Sequence, residues 1–261
     1  MNTKLVAIGG GENGRQIDDN QFLPYETQNI DYEIVSLTKK IKPNFLFIVH
    51  SQPDSLEIQE GYFQTMKKIY GDIFGCSCKD LKSNELNNLE KVQEKIDWAD
   101  IIYEGGGDTS VMISLWKRTG FDKVLFDAWK NGKIVSGISA GAVCWFKLCN
   151  SDVEGEADKF ETVNCLNWFD LFITPHCDEK GRYESTKNQI KDTNDIALML
   201  SNRSAIEIVD DKYRIIFDET EKKDKPYVIK AYWENGVYKE KLLTNTEVFL
   251  PLKELFEKDI L

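Results

Sequence analysis

The stretch KIVSGISAGAVCW, residues 133–145, places Ser139 between Gly137 and Gly141, where an apolar run gives way to small helix-forming residues. G-x-S-x-G at a strand-to-helix turn is the pattern of a nucleophile elbow. Its glycines tolerate a sharp turn, the hydroxyl projects above the sheet, and the following helix N-terminus offers N–H groups to a developing oxyanion. A tight structural connection uses glycines too, so the motif alone leaves both readings open. A serine hydroxyl is a weak nucleophile near neutral pH and needs a general base. The chain holds two histidines, His50 and His176. His176 closes the run LFITPH and His50 closes NFLFIVH, so both fall at strand ends and pattern alone excludes neither.

A third group must orient the base, and the elbow enzymes run serine, then acid, then histidine along the chain. The segment NSDVEGEADKFE between Ser139 and His176 offers Asp152, Glu154, Glu156, Asp158 and Glu161. Most of these charges read as a solvated loop. Backbone donors for an oxyanion are supplied by YEGGGDTSVM, in which Gly106 and Gly107 can approach a bound carbonyl closely, and by Ala140 just after the serine. Asp108 and Thr109 follow directly; they can cap the next helix and are candidate substrate contacts. Arg182, six positions after His176, is one of the few cations near the proposed site; it can hold an acidic side chain through two parallel hydrogen bonds, and its bland alternative is a surface arginine pairing with Glu179 or Glu184. A second glycine triple, Gly9 to Gly11, fits neither a dinucleotide-binding turn nor a Walker pattern.

The elements that must position these residues alternate. KLVAI (4–8), NFLFIV (44–49), DIFGC (72–76), DIIYE (100–104), KIVSG (133–137) and LFITP (171–175) read as buried strands, with amphipathic helical segments such as 55–71 and 109–119 between them. That order predicts βαβ units and a parallel sheet covered on both faces. Beyond about residue 195 the pattern turns strand-rich, and Asn235-Gly236 marks a hairpin. The expectation is one α/β domain over 1–261, its core at 1–210, with antiparallel strands added at 211–261.

The net charge of −11 argues against a nucleic-acid surface or an anionic membrane surface, both of which need clustered cations. No apolar run reaches membrane-spanning length, and the apolar stretch at the start is too short for a signal peptide. Six cysteines in no regular framework point to reduced thiols, no structural zinc and a cytoplasmic protein.

Taken together, IIYEGGGDT, IVSGISAGAV and LFITPH, in this order and spacing, resemble the aspartyl dipeptidase (peptidase E) family of serine peptidases, whose relatives include cyanophycinase. The resemblance covers roughly residues 1 to 210. It implies a flavodoxin-like parallel sheet sandwiched by helices, distantly similar to class I glutamine amidotransferases, and hydrolysis of peptide bonds that follow an aspartate. On this basis Ser139 matches the nucleophile, His176 the base, and Gly106 and Gly107 the oxyanion segment. The orienting acid falls at Glu154, with Asp152 as the alternative and Glu156 and Asp158 next in line. The stretch after His176 is shorter and more acidic than the family's pattern, which weakens the link between Arg182 and substrate.

The expected function is a cofactor-free serine peptidase acting on small peptides, with a homodimer among the assemblies it allows. Two rival readings stand beside it. A cysteine hydrolase is disfavoured because Cys144 lies inside the helix after the elbow, and a binding or regulatory module without turnover would be favoured by a missing triad member.

Overall fold

The computed structural model describes residues 2–18, 21–52, 55–153, 156, 158–220 and 224–258. The strands Lys4–Ile8, Ile134–Ile138, Ile101–Glu104, Asn44–Ile48 and Ser77–Leu81 lie side by side and parallel, in that order, in an eight-stranded sheet. Beside Lys4–Ile8 the sheet continues antiparallel through Ser204–Val209, Lys212–Phe217 and the short Leu250–Pro251.

Alternate residues of each central strand face opposite sides. Leu5, Ala7, Leu46, Ile48, Ile102 and Val135 pack with Val92, Met112, Trp116 and Leu125, which come from the helices Leu89–Trp98, Thr109–Thr119 and Phe121–Lys130. On the other face Val6, Ile8, Phe45, Phe47 and Tyr103 meet Ile30, Ile34, Phe63 and Met66 of the helices Gln28–Ser36 and Leu56–Lys67. Burial on both faces is why these runs read as unbroken apolar stretches. Each large side chain so buried contributes roughly 1.5–3 kcal/mol.

Three sequence expectations are corrected. First, LFITP does not join this sheet. It forms the strand Phe169–Thr174 in a second sheet of six strands, ordered Val237–Leu242, Val228–Glu234, Ala197–Leu200, Phe169–Thr174, Phe146–Asp152 and Phe160–Asn164. Phe169–Thr174 is parallel to both neighbours, while the outer pairs are antiparallel. Second, the antiparallel strands expected after residue 210 form, but they are divided between the two sheets. The expected boundary falls in the turn between the paired strands Ser204–Val209 and Lys212–Phe217 of the main sheet, whereas the hairpin through Asn235-Gly236 belongs to the second. Third, DIFGC is not a strand. Helical hydrogen bonding carries on from Leu56–Lys67 into a π-helical turn, Lys68–Ile73, and the strand forms later at Ser77–Leu81. Among the described residues no helix is long and apolar enough to cross a membrane.

His50 follows the strand Asn44–Ile48 and is fully buried against Trp116 and Phe121. Its Nε2 donates to the Leu81 carbonyl at 2.8 Å, and its Nδ1 accepts from Trp116 Nε1 at 2.9 Å. The ring is thus satisfied as a neutral imidazole, and burial holds its pKa down at about 4 against an ordinary 6.5. Between those values the unfolded chain carries a proton that the folded chain refuses, so stability falls as the pH drops through that window. The loss from this group is about 3 kcal/mol by pH 4. His50→Gln cannot be protonated. Urea unfolding should therefore show it less stable than wild type at pH 7, with the gap shrinking by about 2–3 kcal/mol near pH 4.5. A gap that stays constant with pH would contradict this role.

Candidate active site

Ser139 sits between the strand Ile134–Ile138 and the short helix Ala140–Val143 with φ 56° and ψ −118°, a backbone conformation costly for a residue with a Cβ. The surroundings impose it. Ser139 N–H donates to the Ile8 carbonyl at 3.1 Å, and the Ser139 carbonyl accepts from the amides of Ala142 and Val143 at 2.9 and 3.1 Å. The flanking glycines are there for contact. A Cβ on Gly141 would lie 2.1 Å from the Glu104 carbonyl oxygen, and one on Gly137 would lie 2.4 Å from the Gly141 oxygen. Only bare backbone fits on either side of the serine, and the hydroxyl is thereby held up at the carboxyl edge of the sheet, where catalytic groups gather in such folds.

His176 follows the strand Phe169–Thr174 of the second sheet, and its Nε2 lies 3.0 Å from Ser139 Oγ. On the far side of the ring, Nδ1 lies 2.6 Å from Asn202 Oδ1 and 3.3 Å from Glu179 Oε1. Asn202 is itself fixed, its N–H donating to Asp178 Oδ1 at 2.7 Å. With the Asn202 oxygen toward the ring, Nδ1 carries the proton and Nε2 is left free to accept from the serine. His176 N–H donates to the Gly9 carbonyl at 3.0 Å. A Cβ on Gly10 would come within 2.2 Å of His176 Nδ1 and 2.1 Å of Asn202 Oδ1. The first glycine triple therefore seats the histidine against the main sheet.

Across the serine, the glycine loop 105–107 is clamped by Ser51. Ser51 Oγ donates to the Gly106 carbonyl at 2.8 Å, and the Ser51 carbonyl accepts from Asp108 N–H at 2.9 Å. Ser51 N–H in turn donates to the buried Glu104 carboxyl, which desolvation keeps protonated far above the usual range. Gly106 and Gly107 border a cleft of about 980 Å³ together with Ser139 and His176. Its outer walls come from residues 11–16, the helix Leu56–Lys67 and the π-helical turn, which bring in Arg15, Lys68, Glu12 and Tyr62.

The remaining sequence candidates sit as follows. Glu154 lies outside the described residues. Asp152 is engaged elsewhere: both its oxygens accept from Arg182 Nη2, at 2.9 and 3.0 Å. Arg182 does not face the cleft. It is 3 % exposed, its guanidinium stacked 4.5 Å from the Phe160 ring centre. Asp108 caps the helix Thr109–Thr119 through the Val111 amide at 2.8 Å, and Thr109 is buried within that helix, so neither borders the cleft. Ala140, first in its helix, keeps an N–H with no intrahelical partner. The Cys144 thiol is fully buried, and that burial raises its pKa well above normal, far from the state a nucleophile needs. Asn202, Glu179 and the cleft cations Arg15 and Lys68 were not foreseen as site residues. Asn202 follows the strand Ala197–Leu200, the neighbour of the strand that carries His176, so the strand-end rule would have found it.

The family model for peptidase family S51 matches residues 5–216. An uncharacterized peptidase of Bacillus subtilis (strain 168), YgaJ, is 32% identical over 185 residues, covering 69% of this chain and 71% of its own length. An uncharacterized peptidase of Listeria innocua, Lin0382, is 28% identical over 131 residues, 48% of this chain and 63% of the relative. Among solved structures, a peptidase from an acI-B1 actinobacterium shares the fold with a TM-score of 0.69 at 19% identity, covering 96% of this chain and 97% of that one. A provisionally assigned peptidase E protein from Listeria monocytogenes EGD-e gives 0.61 at 21% identity, over 83% of this chain and 99% of that one. An elbow serine in contact with a strand-end histidine, a match spanning most of the sequence and relatives that are themselves peptidases agree, and the chain belongs to peptidase family S51, a family of serine-type peptidases.

Proposed function

We propose that Ser139 is the nucleophile and His176 its general base, in a peptidase for small peptides that begin with aspartate. The observation that carries the reading is the 3.0 Å contact between His176 Nε2 and the hydroxyl of a serine held at positive φ. In the first step His176 takes the Ser139 proton as Oγ attacks the peptide carbonyl, and the imidazolium then gives that proton to the leaving amine. The amides of Gly107 and Ala140 serve the oxyanion. A water, activated by the same histidine, releases the acyl group.

The orienting role that the sequence assigned to an acid between serine and histidine passes to Asn202, backed by Glu179. An amide oxygen fixes the tautomer but does not carry the charge that stabilises an imidazolium. The Glu179 carboxylate, 3.3 Å from Nδ1, supplies that charge. For the substrate, Arg182 is spent on Asp152, so the acidic side chain of the peptide must find another cation. Arg15 and Lys68 border the cleft, and Glu12 beside Arg15 suits the peptide's own ammonium.

Three outcomes are expected. Ser139→Ala and His176→Ala should each lower kcat by about 10⁴-fold or more, while His50→Gln changes it little; retained turnover in Ser139→Ala would remove the nucleophile assignment. Asn202→Ala and Glu179→Gln should each lower kcat by about 10²-fold with little change in KM, and unaffected rates in both would place the orienting group elsewhere. Finally, kcat/KM across a dipeptide panel should favour aspartyl over asparaginyl substrates. Arg15→Ala should shrink that preference by about tenfold, the worth of one charge-assisted hydrogen bond, whereas Arg182→Met should lower the melting temperature and leave the preference intact. Equal rates for both substrate types would reject the aspartate reading and leave the peptidase reading standing.

A further inference from the structure

The backbone of Gly106 faces the nucleophile: a Cβ built there would lie 3.3 Å from Ser139 Cβ and 3.8 Å from its Oγ. Its N–H, however, is engaged. It donates to the Tyr62 hydroxyl at 3.3 Å. Among the described residues this is the only hydrogen bond at that hydroxyl, so the phenol accepts from Gly106 and its own proton has no protein acceptor. Tyr62 borders the cleft alongside Gly106, Gly107, Ser139 and His176.

The ring is tightly placed. Its edge meets Phe47 with centroids 4.9 Å apart and planes at 65°, and its Cε1 lies 2.6 Å from where a Cβ on Gly105 would stand. A glycine at 105 is what lets the ring come so close. Held in this way, the hydroxyl has little freedom except rotation of its own proton, which is the preorganisation that an oxyanion donor requires. Accepting an N–H also polarises a hydroxyl and makes it a better donor. Burial, the largest influence, pushes the phenol up to about 12, so it stays protonated across the physiological range.

From this geometry we infer that Tyr62 is a catalytic residue, its hydroxyl donating a hydrogen bond to the oxyanion that forms when Ser139 attacks, with the Gly106 amide acting through it. The inference rests on the serine peptidase reading above. No proton leaves the phenol: the hydrogen bond tightens as negative charge collects on the former carbonyl oxygen and relaxes when the tetrahedral intermediate collapses.

Tyr62→Phe tests this, because it keeps the ring on Gly105 and Phe47 and removes one oxygen. Three readouts are needed: kcat and KM on the dipeptide that wild type cleaves best, the rate constant for inactivation by a fluorophosphonate, and the melting temperature. The expected result is a fall of about 10²-fold in kcat and a parallel fall in the inactivation rate, with KM and melting temperature near wild type. The opposite geometry, in which the Gly106 amide is itself the donor and Tyr62 merely covers it, predicts the reverse. Removing the hydroxyl would then free the amide, and both rates would hold or rise, which overturns the proposal. A change confined to KM, or a loss of rate that tracks a loss of melting temperature, overturns it as well. If wild type neither hydrolyses any dipeptide nor reacts with the fluorophosphonate, the peptidase reading fails first.

Discussion

The site depends on how closely two strand ends approach one another. Where Ile101–Glu104 and Ile134–Ile138 finish, the Glu104 carbonyl oxygen lies so near Gly141 that no side chain could stand there, and the chain must turn through Ser139 with positive φ. A backbone of that kind costs on the order of 1–3 kcal/mol and persists only when its neighbours over-determine it. They do so here through the Ile8 carbonyl and the two helix amides that grip Ser139. Widening the gap at Gly141 by a single methyl would shift the serine, the start of its helix and the glycine loop together.

Against this fixed serine the second sheet delivers His176, the proposed base. The strands Phe169–Thr174 and Ala197–Leu200 are parallel neighbours, and the residues just past their ends, His176 and Asn202, meet side by side. Gly9 and Gly10, just past the end of Lys4–Ile8, receive them. The contact between Ser139 and His176 therefore requires the two sheets to dock in register through a few backbone contacts, and the first glycine triple matters for its lack of bulk. His50 and Glu104, buried at the ends of their strands, are held in their neutral forms by desolvation. The Glu179 carboxylate lies 3.3 Å from His176 Nδ1, on the side of the ring where a negative charge favours a protonated imidazole.

Much of this was legible in the residue order because it follows from local rules. The parallel core shows as short buried apolar runs, the elbow as glycines flanking a serine, and the strand-end position of His176 as the close of LFITPH. Other features escaped because they depend on distant partners. Nothing local tells that LFIT pairs with Phe146–Asp152 and Ala197–Leu200 instead of extending the main sheet. Arg182 looked available for substrate, yet Asp152 and Phe160, brought together by the pairing of Phe146–Asp152 with Phe160–Asn164, enclose it. Asn202 lies beyond the histidine, outside the serine, acid, histidine order of the elbow enzymes. The π-helical turn arises from a shift in hydrogen-bond register that apolar spacing does not record, and such turns often mark functional positions.

We propose that the strained Ser139, coupled to His176, is a chemically activated nucleophile. Treating the protein with a fluorophosphonate and mapping the adduct by peptide mass spectrometry tests it most directly, since only a serine with an engaged base reacts readily. The expected result is one phosphonyl group per chain, on Ser139, and its near absence when His176 is replaced by alanine. An adduct on a different serine, or an unmodified chain under conditions that label other serine hydrolases, would contradict it.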